Sequence, residues 1–144
     1  DFRELRVYRE AFEFQGEVFV ASKNWPSEET YSLTSQIRRS SRSVGANLAE
    51  AWAKRRYPAH FISKISDADA ELQETKHWID SAQQCGYLDL GTAQAWSTSA
   101  DRIGRRLGNM IHRAASFVPS DDSATNAYTL KDAFRVDYDE DQDD

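Results

Sequence analysis

Stops are so sparse in this chain that only a few long elements fit between them. The prolines are Pro26, Pro58 and Pro119. With the breaks Asn24-Trp25-Pro26-Ser27, Tyr57-Pro58 and Cys85-Gly86-Tyr87, they divide residues 1–118 into four segments. Each is long enough for about six helical turns. None alternates apolar and polar residues with a period of two, which argues against strands. Segment one, about residues 2–23, carries Leu5, Tyr8, Phe12 and Phe19 at helical spacing, with Val7, Ala11, Phe14 and Val18 as a second line. Segment two, about 27–56, carries Leu33, Ile37, Ser41, Val44, Leu48 and Trp52, and Ser27 is placed to cap it ahead of Glu28 and Glu29. Segment three, about 58–84, carries Phe61, Ile65, Ala68, Leu72, Thr75, Ile79 and Ala82, with Pro58 at its first turn and Gly86 as its left-handed stop. Segment four, about 89–117, carries Ala93, Trp96, Ala100, Ile103, Leu107, Met110, Ile111 and Ala114 behind a cap at Asp89. Gly16, Gly45, Gly104 and Gly108 lie inside the segments, where close helix packing is the expected reason for them. Short links between similar helices favour antiparallel neighbours. The expected fold is all-α: an antiparallel up-down four-helix bundle over residues 1–118 with an acidic C-terminal tail over 119–144.

The formal net charge of −6 is unevenly spread. Residues 119–144 hold nine acids against Lys131 and Arg135, a net of −7. Of the 24 acids and 18 bases in the sequence, 15 and 16 remain for residues 1–118, a net of +1. The tail closes on Asp137-Tyr138-Asp139-Glu140-Asp141-Gln142-Asp143-Asp144, a solvated run. Its Tyr128, Leu130, Phe134 and Val136 leave it extended or docked on a neighbour. Apolar runs are too short to span a membrane, no start reads as a signal peptide, and Cys85 is the sole cysteine. A cytoplasmic protein is expected.

Helix two presents a second, polar line: Gln36, Arg39, Ser43, Asn47 and Glu50. Helix three presents an acidic one, Asp67, Glu71 and Glu74, ending at Trp78. In a hairpin turning near Tyr57, residues whose numbers sum to about 114 face each other. Asn47 then meets Asp67, Ser43 meets Glu71, and Arg39 meets Glu74. The expectation is that Arg39 and Asn47 bond the acidic line and set the register of the hairpin.

The same residues carry a resemblance. Trp25-Pro26, Glu29, Tyr31-Ser32-Leu33, Gln36-Ile37-Arg38-Arg39 and Ser43-Val44-Gly45-Ala46-Asn47-Leu48-Ala49-Glu50 resemble the signature of the ribosomal-RNA intervening-sequence protein family. It continues through Ala70-Glu71-Leu72-Gln73-Glu74-Thr75-Lys76-His77-Trp78 and Gly86-Tyr87-Leu88, covering most of residues 2–118. Ala51 departs from the family's usual glycine, and Asp67-Ala68 from its usual Gly-Ser pair. The resemblance implies a four-helix bundle assembled into a ring, typically a pentamer. Relatives in diversity-generating retroelements are accessory factors that bind nucleic acid and a reverse transcriptase through a basic ring surface.

Three functional readings follow. Arg38, Arg42, Lys54, Arg55 and Arg56 on helix two, with Arg102, Arg106 and Arg113 on helix four, are candidate contacts to RNA or DNA phosphates. The competing reading of these charges is a solvated or salt-bridged face. A pure protein–protein assembly module is the second, helped by the tryptophans Trp25, Trp52, Trp78 and Trp96. A di-metal carboxylate enzyme is a remote third: Glu74 and His77 have the right spacing, but neither His60 nor His112 follows a glutamate by three residues. No catalytic set, cofactor site, metal site or small-molecule substrate is expected. Cys85 beside Gly86 reads as helix-end packing.

Overall fold

The computed structural model describes residues 1–120 of the 144. Apart from Pro119 and Ser120, the expected acidic tail lies outside the described residues. Four long helices carry the fold: α1 (Arg6–Ser22), α2 (Leu33–Ala53), α3 (Pro58–Gln84) and α4 (Leu90–His112). Three short 3-10 turns, Phe2–Glu4, Ser27–Glu29 and Ala114–Phe117, complete the described residues, which include no strand.

Helix ends follow local chemistry. Pro58 opens α3, where its missing N–H costs nothing. At the other end Gly86 turns left-handed at φ 79°; its N–H reaches the Gln83 carbonyl, and that of Tyr87 reaches Ala82. These two bonds satisfy carbonyls that the helix leaves orphaned. Asp89 caps α4 by accepting the Thr92 N–H at 2.7 Å.

The start of α2 corrects the sequence reading. The helix begins at Leu33, and Ser27 opens the separate 3-10 turn Ser27–Glu29 instead of capping it. Ser32 breaks the chain direction at φ −121°, ψ −106°. Glu29 supplies the cap from four residues upstream. Its carboxylate accepts the Leu33 N–H at 3.2 Å and the Ser32 hydroxyl at 2.8 Å. A second oxygen takes the Tyr87 hydroxyl at 3.2 Å, tying this corner to the α3–α4 turn.

Packing runs α1 to α2, α2 to α3, α3 to α4, and α4 back to α1. Between α2 and α3, Ser40 meets Thr75 at 2.8 Å and Glu50 meets Lys64 at 2.9 Å. Between α3 and α4, Lys76 reaches Asp101 at 2.8 Å. Arg38 bonds Ser22 across α1 and α2, and Phe14 meets Trp96 edge-on across α1 and α4. Further contacts place Tyr8 of α1 beside Gly45 of α2, Leu72 of α3 beside Gly104 of α4, and Glu10 of α1 beside Arg106 of α4.

All seven stripe residues of α3 are buried. They meet Ile37, Val44 and Leu48 of α2 and Ile103 and Leu107 of α4, all essentially without exposed surface. Each such side chain contributes about 1.5–3 kcal/mol by leaving water. Trp25 and Leu88 are buried beyond the helix ends, and Phe117 stacks on Phe61 with ring centroids 5.1 Å apart. On α1 only the second line is core: Val7, Ala11, Phe14 and Val18. Phe12 of the first line is 56% exposed, and Tyr8 and Phe19 are half-buried.

Close packing does not account for the helical glycines. A methyl group on Gly45 or Gly104 would meet its nearest neighbour at an ordinary 3.5 Å, and one on Gly16 or Gly108 would meet nothing within 4 Å.

Candidate functional site

The polar seam between α2 and α3 is built around Arg39. Its guanidinium spans two carboxylates one turn apart on α3. It reaches Glu71 at 3.2 and 3.3 Å and also bonds Glu74. Gln36 accepts a long bond from its Nε at 3.5 Å. The Arg39 bond holds the Glu74 carboxyl below its ordinary range, and Glu74 in turn holds the arginine more firmly protonated. Trp78 donates its indole N–H to the other Glu74 oxygen at 3.3 Å.

The rest of the seam differs from expectation. Asn47 does not bond Asp67; its amide donates to the Ser43 carbonyl one turn back on its own helix, at 2.9 Å. The Ser43 hydroxyl likewise donates within its own helix, to the Arg39 carbonyl at 2.9 Å. Short side chains find a carbonyl on their own helix without crossing the groove. Lys64, missed in the sequence, serves this half of the seam. Its ammonium lies 2.9 Å from Glu50 and 3.6 Å from Asp67. Glu50 and Lys64 satisfy the 114 rule, so the missed residue was legible by position.

The basic residues fall into three places. Arg38 and Arg42 lie over the Phe19 ring of α1, at 4.7 and 5.4 Å, beside Lys23 at 4.8 Å. Lys54, Arg55 and Arg56 lie at the α2–α3 corner, where Arg55 stacks on Trp52 at 4.3 Å and donates to its carbonyl. Arg56 and Tyr57 line a small cleft there with Pro119. Arg102 and Arg106 of α4 converge with Arg6 on one carboxylate, Glu10 of α1, at 3.9, 2.7 and 3.4 Å. Arg113 extends that line past the end of α4. Neither Arg6 nor Glu10 was singled out in the sequence. Their i,i+4 spacing is visible there, but which face of α1 meets α4 is not.

Glu74 is engaged by Arg39 and Trp78, not turned toward a histidine; the His77 ring lies against Trp78 at 4.7 Å. Among the described residues, no group of three or more His, Cys, Asp or Glu side chains could hold a metal ion. Cys85 is a free, exposed thiol. No helix among the described residues is long and apolar enough to cross a membrane.

Among the described residues the fold is all-helical, and its polar side chains meet in ion pairs, hydrogen bonds and arginine stacking. The chain belongs to the 23S rRNA-intervening sequence protein family, whose profile matches residues 3–109. A solved structure similar to it is that of a protein of unknown function from the S23 ribosomal protein family of Bacteroides thetaiotaomicron VPI-5482. The two chains are 26% identical with a TM-score of 0.67, over 74% of this chain and 95% of that one. Among curated proteins none matches.

Proposed function

We propose that the protein is a non-enzymatic, cytoplasmic, antiparallel up-down four-helix bundle that assembles with copies of itself into a ring of five. The paired contacts across all four helix interfaces support the antiparallel arrangement. The observation that carries assembly is the outer face of α1. Phe12 and Val20 are 56% and 61% exposed there, and a methyl group on Gly16 between them would meet nothing within 4 Å among the described residues. A mid-helix glycine costs about 1 kcal/mol relative to alanine. Among the described residues nothing offsets that cost, whereas a second backbone approaching between two apolar side chains would. A ring requires this face to meet a different patch on the next copy; a count of five is what the family resemblance implies.

Sedimentation of the full chain at micromolar concentration tests this. The expected species has five times the 16.5 kDa chain mass. Phe12→Glu is expected to sediment as a smaller species with unchanged helix content. A wild-type monomer would overturn the reading.

A second reading adds RNA or DNA as a partner, in the manner of an accessory factor. It is favoured by the convergence of Arg6, Arg102 and Arg106 on Glu10, which leaves positive charge in excess. Around a ring such sites would form a continuous band for phosphates. Filter binding across a salt series tests it: absence of binding at low salt would remove nucleic acid and leave assembly alone.

A further inference from the structure

The end of the molecule where α1 begins and α4 finishes holds a cleft of about 200 Å³. Arg6, Arg106, Arg113 and Asn109 supply its polar wall, and Met110 and Phe117 part of its apolar one. We propose that this cleft is a binding site for a phosphate group.

Charge is the first argument. Arg6, Arg102 and Arg106 crowd a single carboxylate, Glu10, whose side chain is only 15% exposed. One carboxylate neutralises one guanidinium, so among the described residues this cluster keeps an excess of about two positive charges, and Arg113 at the same cleft adds another. Like charges held this close repel unless an anion joins them. Geometry is the second argument. Arg6 of α1, Arg106 of α4 and Arg113 just past α4 line the same cleft. Arginine forks bind oxyanions through paired N–H groups, and Asn109 adds a neutral amide. A phosphate monoester brings a charge of about −1.5 to −2 and three acceptor oxygens, against one charge and two oxygens for a carboxylate. Size is the third. The cleft is below the roughly 300–1,000 Å³ of sites that enclose whole small-molecule ligands. It suits a single charged group, with Phe117 beside it as an apolar contact for whatever the phosphate is attached to.

Free phosphate and the phosphate of a nucleic-acid strand share this chemistry. The strand as source rests on the nucleic-acid reading above; the free-ion titration does not. Both experiments use the full chain. Inorganic phosphate is titrated at constant ionic strength against wild type, Arg6→Ala, Arg113→Ala and Lys23→Ala, followed by phosphorus NMR and thermal melting. Saturable binding is expected in wild type and in Lys23→Ala, weakened about tenfold or more in Arg6→Ala and Arg113→Ala, as for a lost charged hydrogen bond. Arg113 is the cleaner variant, since Arg6 also pairs with Glu10. No saturable binding by wild type, or equal loss in Lys23→Ala, would overturn the site.

Labelled single-stranded RNA and DNA are then titrated across a salt series. If a strand phosphate occupies the cleft, Arg113→Ala lowers the slope of log affinity against log salt by about 0.7. Strand binding with an unchanged slope would remove the strand as the source while leaving nucleic-acid binding in place. Absence of strand binding by wild type would overturn the nucleic-acid reading, and the free-phosphate titration alone would then decide the cleft.

Discussion

Thr34 lies in the first turn of α2 with only 5% of its surface exposed, and its hydroxyl has no hydrogen-bond partner among the described residues. An orphaned buried hydroxyl costs about 1–3 kcal/mol. Valine keeps the branched shape and has similar helix propensity. Thr34→Val is therefore expected to stabilise the protein by about 1 kcal/mol, read as a higher urea midpoint at unchanged slope. Destabilisation by a similar amount would mean that the hydroxyl has a partner in solution. The contrast with Thr75 is instructive, because its hydroxyl lies 2.8 Å from both the Ser40 hydroxyl and the Glu71 carbonyl. Sequence spacing placed Thr75 in the core stripe, but the composition of a stripe does not reveal which of its hydroxyls finds a neighbour. Asn47 shows the same limit from the other side. Its register opposite Asp67 was readable, yet its amide chose a carbonyl on its own helix, and a lysine outside the polar line took the aspartate.

At the scale of the elements, α3 was the most legible helix, since a proline, a glycine and a seven-residue stripe all agree. The start of α2 was the least legible, because its cap comes from Glu29 across an intervening turn rather than from an adjacent serine. On α1 two apolar lines compete, and only tertiary contact decides which becomes core. Two experiments address the helix ends. Gly86→Ala puts a side chain where φ is 79°, and is expected to cost about 1–2 kcal/mol of stability, measured by denaturant titration. The Glu29 carboxyl is held below its usual 4.5, first by the Ser32 hydroxyl and then by the Leu33 N–H. A carboxyl lowered by folding binds its proton less readily in the native state than in the unfolded one. Its contribution is therefore full above about pH 4.5 and is lost as the pH falls through the lower native value. Asp89, held below 3.8 chiefly by the Thr92 N–H, acts in the same sense at lower pH. Glu29→Gln is expected to reduce stability at neutral pH and to flatten the decline on acidification below about 4.5. An acid limb as steep as that of wild type would assign the decline to other carboxyls.

The whole molecule combines a body of net charge near +1 with a C-terminal run that brings the total to −6. That separation bears on any polyanionic partner, because approach is governed by the summed field while contact is governed by local clusters. By charge alone, the Glu10 cluster would attract a phosphate at short range and the run Asp137–Asp144 would oppose its approach. In a ring both effects multiply with the number of copies. Replacing Asp137, Asp139, Asp141, Asp143 and Asp144 by asparagine moves the formal charge from −6 to −1 without touching a residue of the four helices. If nucleic acid is a partner, this variant is expected to bind a single strand more tightly than wild type at low salt. The difference should shrink as salt rises, since the Debye length falls from about 30 Å at 0.01 M to about 8 Å at 0.15 M. Oligomer size should stay constant, because the exposed apolar face of α1 is unchanged. An affinity gain that persists undiminished at high salt would instead point to direct competition for the arginines, with the acidic run held against the body at contact distance. Equal affinity at every salt concentration would mean that the run lies too far from the basic surface to matter.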